Sequence, residues 1–278
     1  LSLFLLSCSA VQEDKQPEVS SFMVAAWTGG GIAETEAEWR EKLANFSEHG
    51  LSDLFLSAEI EETIQVVEWA QDYSINIHAW VWTLNRPGDT TAAKNPEWYA
   101  VNRNGDNSYD YRAYVNYYQW LSPFSPGARQ YITSKMISYA DIPGLTSVHL
   151  DYVRYVDVIL GADLQPKYDL VQDRQFAEYD YGYHPIAREG FKELFGVDPI
   201  DMEHPELSTE WLQYRLNAVT SLVNEIAQEV HERNKQLSAA VFPFPVMSRQ
   251  MVRQDWASWD LDIALPMLYH NFYRQNLE

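Results

Sequence analysis

The stretch Gly144-Leu145-Thr146-Ser147-Val148-His149-Leu150-Asp151-Tyr152-Val153-Arg154-Tyr155 is an apolar run that ends in a burst of polar side chains. Such an ending is costly for a buried strand unless the polar groups line a pocket. In an extended strand His149 and Asp151, two apart, project from the same face. A carboxyl group placed there can be shifted in pKa by burial and tuned by His149 or Arg154, which suits it to proton donation or acceptance. The alternative is a plain structural ion pair between Asp151 and Arg154.

A second set of residues suits recognition. His78, Trp80 and Trp82 alternate along another run and share a face, and Tyr269 and His270 close a later one. Indole and phenol rings stack on apolar C–H faces while His, Tyr152 and Arg154 bond hydroxyls, a combination that fits a sugar. Trp80 could equally be filling a core layer. Tyr109, Tyr111, Tyr114, Tyr117, Tyr118 and Trp120 crowd one loop, as a ligand platform or a packed lid. No metal motif emerges: the seven His include no H-x-x-x-H or H-E-x-x-H pair, although His78, His149 and His270 could meet Asp151 at a common mouth. There is no G-x-S-x-G elbow, and Thr28-Gly29-Gly30-Gly31 lacks the dinucleotide register, so no cofactor is expected.

The elements that must position these groups alternate. Strands are predicted over 22–27, 54–56, 75–83, 147–151, 237–242 and 261–268. Between them run helices marked by a Thr35/Glu38 capping box, by Ile60, Ile64, Val67 and Ala70, by a Ser125 cap with Pro126, by a long repeat from Thr209, and by a short helix over 248–259. Long loops are predicted over 85–122 and 156–208. Six β-then-α units with long loops after the strands predict a parallel (β/α)8 TIM barrel, α/β in class, that stops after its sixth strand. An open doubly wound sheet is the competing architecture.

Composition bounds the function. The 278 residues are 46% hydrophobic, typical of a globular chain, and Asp+Glu 40 against Lys+Arg 20 give a net charge of −20. That charge argues against nucleic acid and anionic membrane surfaces. The single Cys excludes a disulfide framework or a thiolate zinc site. It stands in Leu5-Leu6-Ser7-Cys8, which resembles a bacterial lipobox. Residues 1–8 then read as a partial lipoprotein signal peptide with Cys8 lipidated, 9–21 as a flexible tether and 22–278 as the barrel domain. The expected location is the bacterial cell envelope, with the membrane reached only through that anchor.

His149-Leu150-Asp151-Tyr152-Val153-Arg154-Tyr155 resembles the fourth-strand motif of the glycosyl-hydrolase-like-10 family of TIM-barrel glycoside hydrolases. His78-Ala79-Trp80-Val81-Trp82-Thr83-Leu84-Asn85-Arg86, Trp120-Leu121-Ser122-Pro123, Arg253-Gln254-Asp255-Trp256 and Pro266-Met267-Leu268-Tyr269-His270 agree with it in order. The resemblance implies hydrolysis of an extracellular glycan by carboxylate acid/base catalysis. That chemistry needs two carboxyl groups. Asp151 is the expected catalytic one, and Glu59 and Asp157 are the candidates for the second, with Asp169 and Asp173 further off in the loop. His78, Trp80, Trp82, His149, Tyr152, Arg154, Tyr269 and His270 are the expected substrate contacts. The rival readings are a non-catalytic glycan-binding lipoprotein and a metal-assisted hydrolase.

Overall fold

The computed structural model describes residues 23–33 and 35–269. Six strands, β1 (Ala25–Gly29), β2 (Asp53–Ser57), β3 (Asn76–Trp82), β4 (Ser147–Asp151), β5 (Gln236–Val241) and β6 (Ile263–Pro266), pair in sequence order, every pair parallel. Helices α1 (Glu36–Glu48), α2 (Ile60–Ala70), α3 (Pro126–Ala140), α4 (Pro185–Phe195), α5 (Thr209–Glu232) and α6 (Pro245–Val252) intervene. The sheet curls as part of a TIM-type (β/α) barrel. Among the described residues β1 and β6 each have one neighbour, so the sheet is not closed.

Alternation divides each strand between two environments. Leu54, Leu56, Ile77, Ala79, Val81, Val148, Leu150, Leu237, Ala239 and Val241 are buried and face the helices. The other face of β2 to β5 carries Phe55, His78, Trp80, Trp82, Ser147, His149, Asp151 and Ser238 into the barrel. Helix starts follow from local chemistry. The Thr35 hydroxyl accepts the Glu38 N–H, and the Glu38 carboxylate accepts the Thr35 N–H at 3.1 Å. Ser125 and Ser208 cap α3 and α5 with their hydroxyls alone, accepting the Ala128 and Trp211 N–H.

Three expectations need correction. β1 begins at Ala25 rather than 22, with Met23 and Val24 exposed, because pairing with Asp53, and not the apolar run, sets its start. The expected loop over 156–208 contains α4, opened by the His184 side chain accepting the Ile186 N–H with Pro185 in the first turn, and closed by Gly196 at φ 78. The short helix expected over 248–259 starts earlier, behind Pro245, and ends at Arg253, a non-glycine residue at φ 54.

Candidate functional site

Asp151 is the last residue of β4, level with Trp82 in the β3 register. The next residue, Tyr152, sits in the left-handed region at φ 50, an uncommon conformation for a bulky side chain. That turn brings the Tyr152 N–H onto Asp151 Oδ1 at 2.7 Å, while the Trp80 indole N–H donates to Oδ2 at 2.9 Å. Each carboxylate oxygen therefore has one fixed donor. Burial raises the Asp151 pKa; the Trp80 and Tyr152 bonds and the charge of Arg154 oppose the rise without cancelling it. A carboxyl that holds its proton to higher pH than usual suits a proton donor.

Asp151 opens into a cleft of about 480 Å³ at the carboxyl ends of the strands, where barrel enzymes keep their sites. Its walls are mostly aromatic: Trp80, Trp82, Tyr117, Tyr152, Phe242 and Tyr269. Trp82 packs on Tyr152 with ring centroids 4.7 Å apart. Arg154 is buried among the rings of Trp120, Phe242 and Tyr152, at 5.1, 5.1 and 5.5 Å. Its guanidinium pairs with Asp157 at 3.0 Å rather than with Asp151, so the Asp151–Arg154 ion pair is not formed. Asp157, the other carboxylate on this cleft, also accepts from the Tyr118 hydroxyl. Glu59 is exposed after β2 and lines a neighbouring groove of about 470 Å³ on the far side of Trp80 and Trp82.

His78 and His149 do not reach the cleft, which corrects their expected role as sugar contacts and their expected convergence with Asp151. β3 pairs His78 with Ser147, four residues below Asp151, and His149 lies one inward position below it. Both are essentially inaccessible, at 1% and 0% exposed. They belong to a chain of hydrogen bonds across the barrel floor. The Trp27 indole N–H donates to His149 Nε2 at 3.4 Å, so His149 Nδ1 carries its proton and donates to Ser238 at 2.9 Å. The Ser238 hydroxyl donates to Ser147 Oγ at 3.4 Å, and the Ser147 hydroxyl to His78 Nδ1 at 2.7 Å. His78 Nε2–H donates to Asp53 Oδ1 at 2.9 Å. Phe55 stacks on His78 at 4.4 Å and fills the space beside His149.

Burial, with a smaller contribution from His78, pushes the His149 imidazole down to about 3. Burial also lowers His78, although Asp53 opposes the fall. For Asp53 burial disfavours the charge, but bonds from Ser52, His78 and Asn76 outweigh it and hold the carboxyl below its usual range. A folded pKa below the unfolded one means that the unfolded chain binds the extra proton. The His149 contribution is therefore whole above pH of about 6.5 and falls by about 1.4 kcal/mol per pH unit down to its folded pKa. Urea unfolding of wild type and His149→Asn between pH 7 and 4 should show the shallower pH dependence in the variant. Equal slopes would show that His149 is not the source.

The segment after Asp151 is fastened from below. Tyr155 N–H donates to the Val252 carbonyl and Val158 N–H to the Met251 carbonyl, each at 2.9 Å, at the end of α6. Beside it lies a buried charge cluster. Arg215 Nη1 pairs with Asp180 at 2.6 Å, Arg253 stands 3.7 Å from the same carboxylate, and the Tyr183 hydroxyl donates to its other oxygen. Gly182, at φ 119, lets the backbone pass against Arg215 where a Cβ would collide.

Trp80, Trp82, Tyr152, Arg154, Asp157 and Tyr269 thus gather around Asp151. His270, Cys8, the signal-peptide segment and the tether lie outside the described residues. Leu160, Leu164, Lys167, Tyr168, Phe242 and Met267 also line the cleft and escape the sequence reading. Phe242, one residue beyond β5, was readable as a strand-end position; Lys167 and Tyr168 end a single 3-10 turn, Gln165–Tyr168, too short to show a periodicity. The floor residues Asp53, Ser147 and Ser238 escape it as well, being ordinary polar residues whose meeting depends on register.

Comparison with solved structures agrees with the fold. The glycoside hydrolase domain of PgaB (BpsB) from Bordetella bronchiseptica superposes with a TM-score of 0.61 at 13% identity, covering 87% of this chain and 73% of that one. A β-galactosidase from the psychrophilic Marinomonas ef1 gives 0.52 at 13% identity, over 87% of this chain and 40% of that one. A cycloisomaltooligosaccharide glucanotransferase from Paenibacillus sp. gives 0.51 at 9%, over 87% and 33%. Comparison with curated proteins returns no match. The Glycosyl hydrolase-like 10 model matches residues 56–278, from within β2 through every wall of the Asp151 cleft, and the chain belongs to that family.

Proposed function

We propose that this protein hydrolyses O-glycosidic bonds of an extracellular poly- or oligosaccharide, with Asp151 as the general acid. The observation that carries the reading is a carboxyl group held above its usual pKa at the mouth of a barrel, in an aromatic-walled cleft. Family membership supports the same chemistry. Asp151 gives its proton to the glycosidic oxygen as the C1–O bond breaks, and the bonding pair leaves with that oxygen as an alcohol. A water attacks C1 and passes its proton to a carboxylate, for which Asp157 is the candidate within the cleft. Trp82 and Tyr269 offer ring faces to the sugar, and the lipobox-like Cys8 would hold the domain at the cell envelope.

A specific observation favours a second reading, glycan binding without turnover: Asp157 is already engaged by Arg154 and Tyr118. Incubation of the wild-type protein with a panel of soluble polysaccharides, followed by a reducing-end assay, separates the two. New reducing ends from one polysaccharide are expected. Retention of a polysaccharide on the protein with no new ends across the panel would overturn the hydrolase reading and leave the binding one.

A further inference from the structure

We infer that Trp80 is a positioning residue for Asp151, its indole N–H fixing Oδ2 so that the carboxyl group is aimed and its ionised form stabilised after proton donation; the catalytic part of this inference rests on the function proposed above. Trp80 pairs in register with His149 and so starts one inward position below the Trp82–Asp151 level. Its ring reaches upward, and its single polar atom is spent on the carboxylate at 2.9 Å. Trp82, in contrast, stands level with Asp151 and has rings for neighbours, Tyr152 at 4.7 Å and Tyr117 at 6.2 Å. The two tryptophans of one strand face thus divide the work: Trp82 presents a ring to the cleft, and Trp80 holds the acid.

The arrangement has a chemical rationale. A general acid must release its proton in an enclosed site, where the resulting carboxylate is poorly solvated. An indole N–H is a donor with no acceptor capacity, so it favours the carboxylate over the acid and cannot titrate itself. The Tyr152 N–H does the same for Oδ1 from the backbone. Other groups bear on the charge of Asp151: Arg154 from its own loop favours it, and the phenols of Tyr152, Tyr117 and Tyr118 border the same cleft. Asp157 is paired with Arg154, and Lys167 and Tyr269 line the same cleft. None of these replaces a donor at Oδ2.

The test reads the bond directly. In Trp80→Phe the Asp151 pKa, followed by carbon NMR of the carboxyl group, should rise by about one to two pH units. With a glycan that the wild type cleaves, kcat should fall while KM changes little. An unchanged Asp151 pKa would overturn the inference. If the variant does not fold, the wild type still decides: the Trp80 indole N–H resonance should move with the same midpoint as the Asp151 carboxyl carbon, and Asp151→Asn should abolish that movement. An indole signal indifferent to Asp151 overturns the inference. Coupled titration in a protein that cleaves no glycan upholds the positioning and removes the hydrolase reading instead.

Discussion

Asp151→Asn is expected to lower kcat for glycan cleavage by about 10²–10⁴-fold while the glycan still binds. The substitution removes the transferable proton and keeps the shape of the side chain. Its effect on stability should be small, because two contributions oppose. With a folded pKa raised by burial, wild-type Asp151 stabilises the fold below its unfolded pKa and loses that contribution as pH rises through the folded one, so the ionised group is a burden at pH 7. Asn relieves the burden. Its single carbonyl oxygen cannot accept from both Trp80 and Tyr152, however, so one N–H is left facing an NH₂ group. Thermal unfolding within a few degrees of wild type, alongside lost turnover, would assign the loss to chemistry. Retained turnover would sink Asp151 as the acid.

The second large effect concerns stability alone. Asp180→Asn should lower unfolding free energy by about 3–5 kcal/mol, since it leaves Arg215 and Arg253 buried together without a counter-charge. Burial opposes the charge of Asp180, but the two arginines outweigh it and hold the carboxyl below its usual range. Arg253 is the surplus cation. Burial and Arg215 push it down to about 9, and its Nε has no partner among the described residues. A folded pKa below the unfolded one marks a charge that weighs against the fold at neutral pH. Arg253→Met should therefore cost far less than Asp180→Asn. Denaturant midpoints at pH 7 test the order, and an equal loss from both variants would show that the cluster does not carry a surplus charge.

The sheet was legible because the strands of a parallel sheet buried on both sides read as apolar runs, and helices with readable starts, the Thr35/Glu38 capping box and the Ser125-Pro126 cap, separate them. Asp151 was legible for a related reason: it ends the strand segment 147–150, anchored by Val148 and Leu150, at the start of a polar burst. Register was not legible. Nothing in the spacing of His78 and Asp151 reveals that β3 and β4 pair with His78 beside Ser147, and that offset sends both histidines to the floor. The partner of Arg154 was hidden similarly. Asp151 and Asp157 are both three residues away in sequence, and the left-handed turn at Tyr152 carries the chain away from one and toward the other. Helix α4 was missed although His184-Pro185 and Gly196 mark its ends and Ala187, Phe191, Leu194 and Phe195 recur at helical spacing; it interrupts the connection between β4 and α5 without a strand of its own, so the alternation of strands and helices does not call for it.

The floor chain from Trp27 to Asp53 has one further consequence. A row of hydroxyls and imidazoles ordinarily has two proton arrangements, one the reverse of the other. Here one end is an indole that can only donate, and the other a carboxylate that can only accept. Either end alone selects the same arrangement, so the order is specified twice. The row carries no residual proton disorder, and losing one end leaves its direction intact. Directly beneath Asp151, the protein keeps a layer whose dipoles cannot reverse when the charge above them changes.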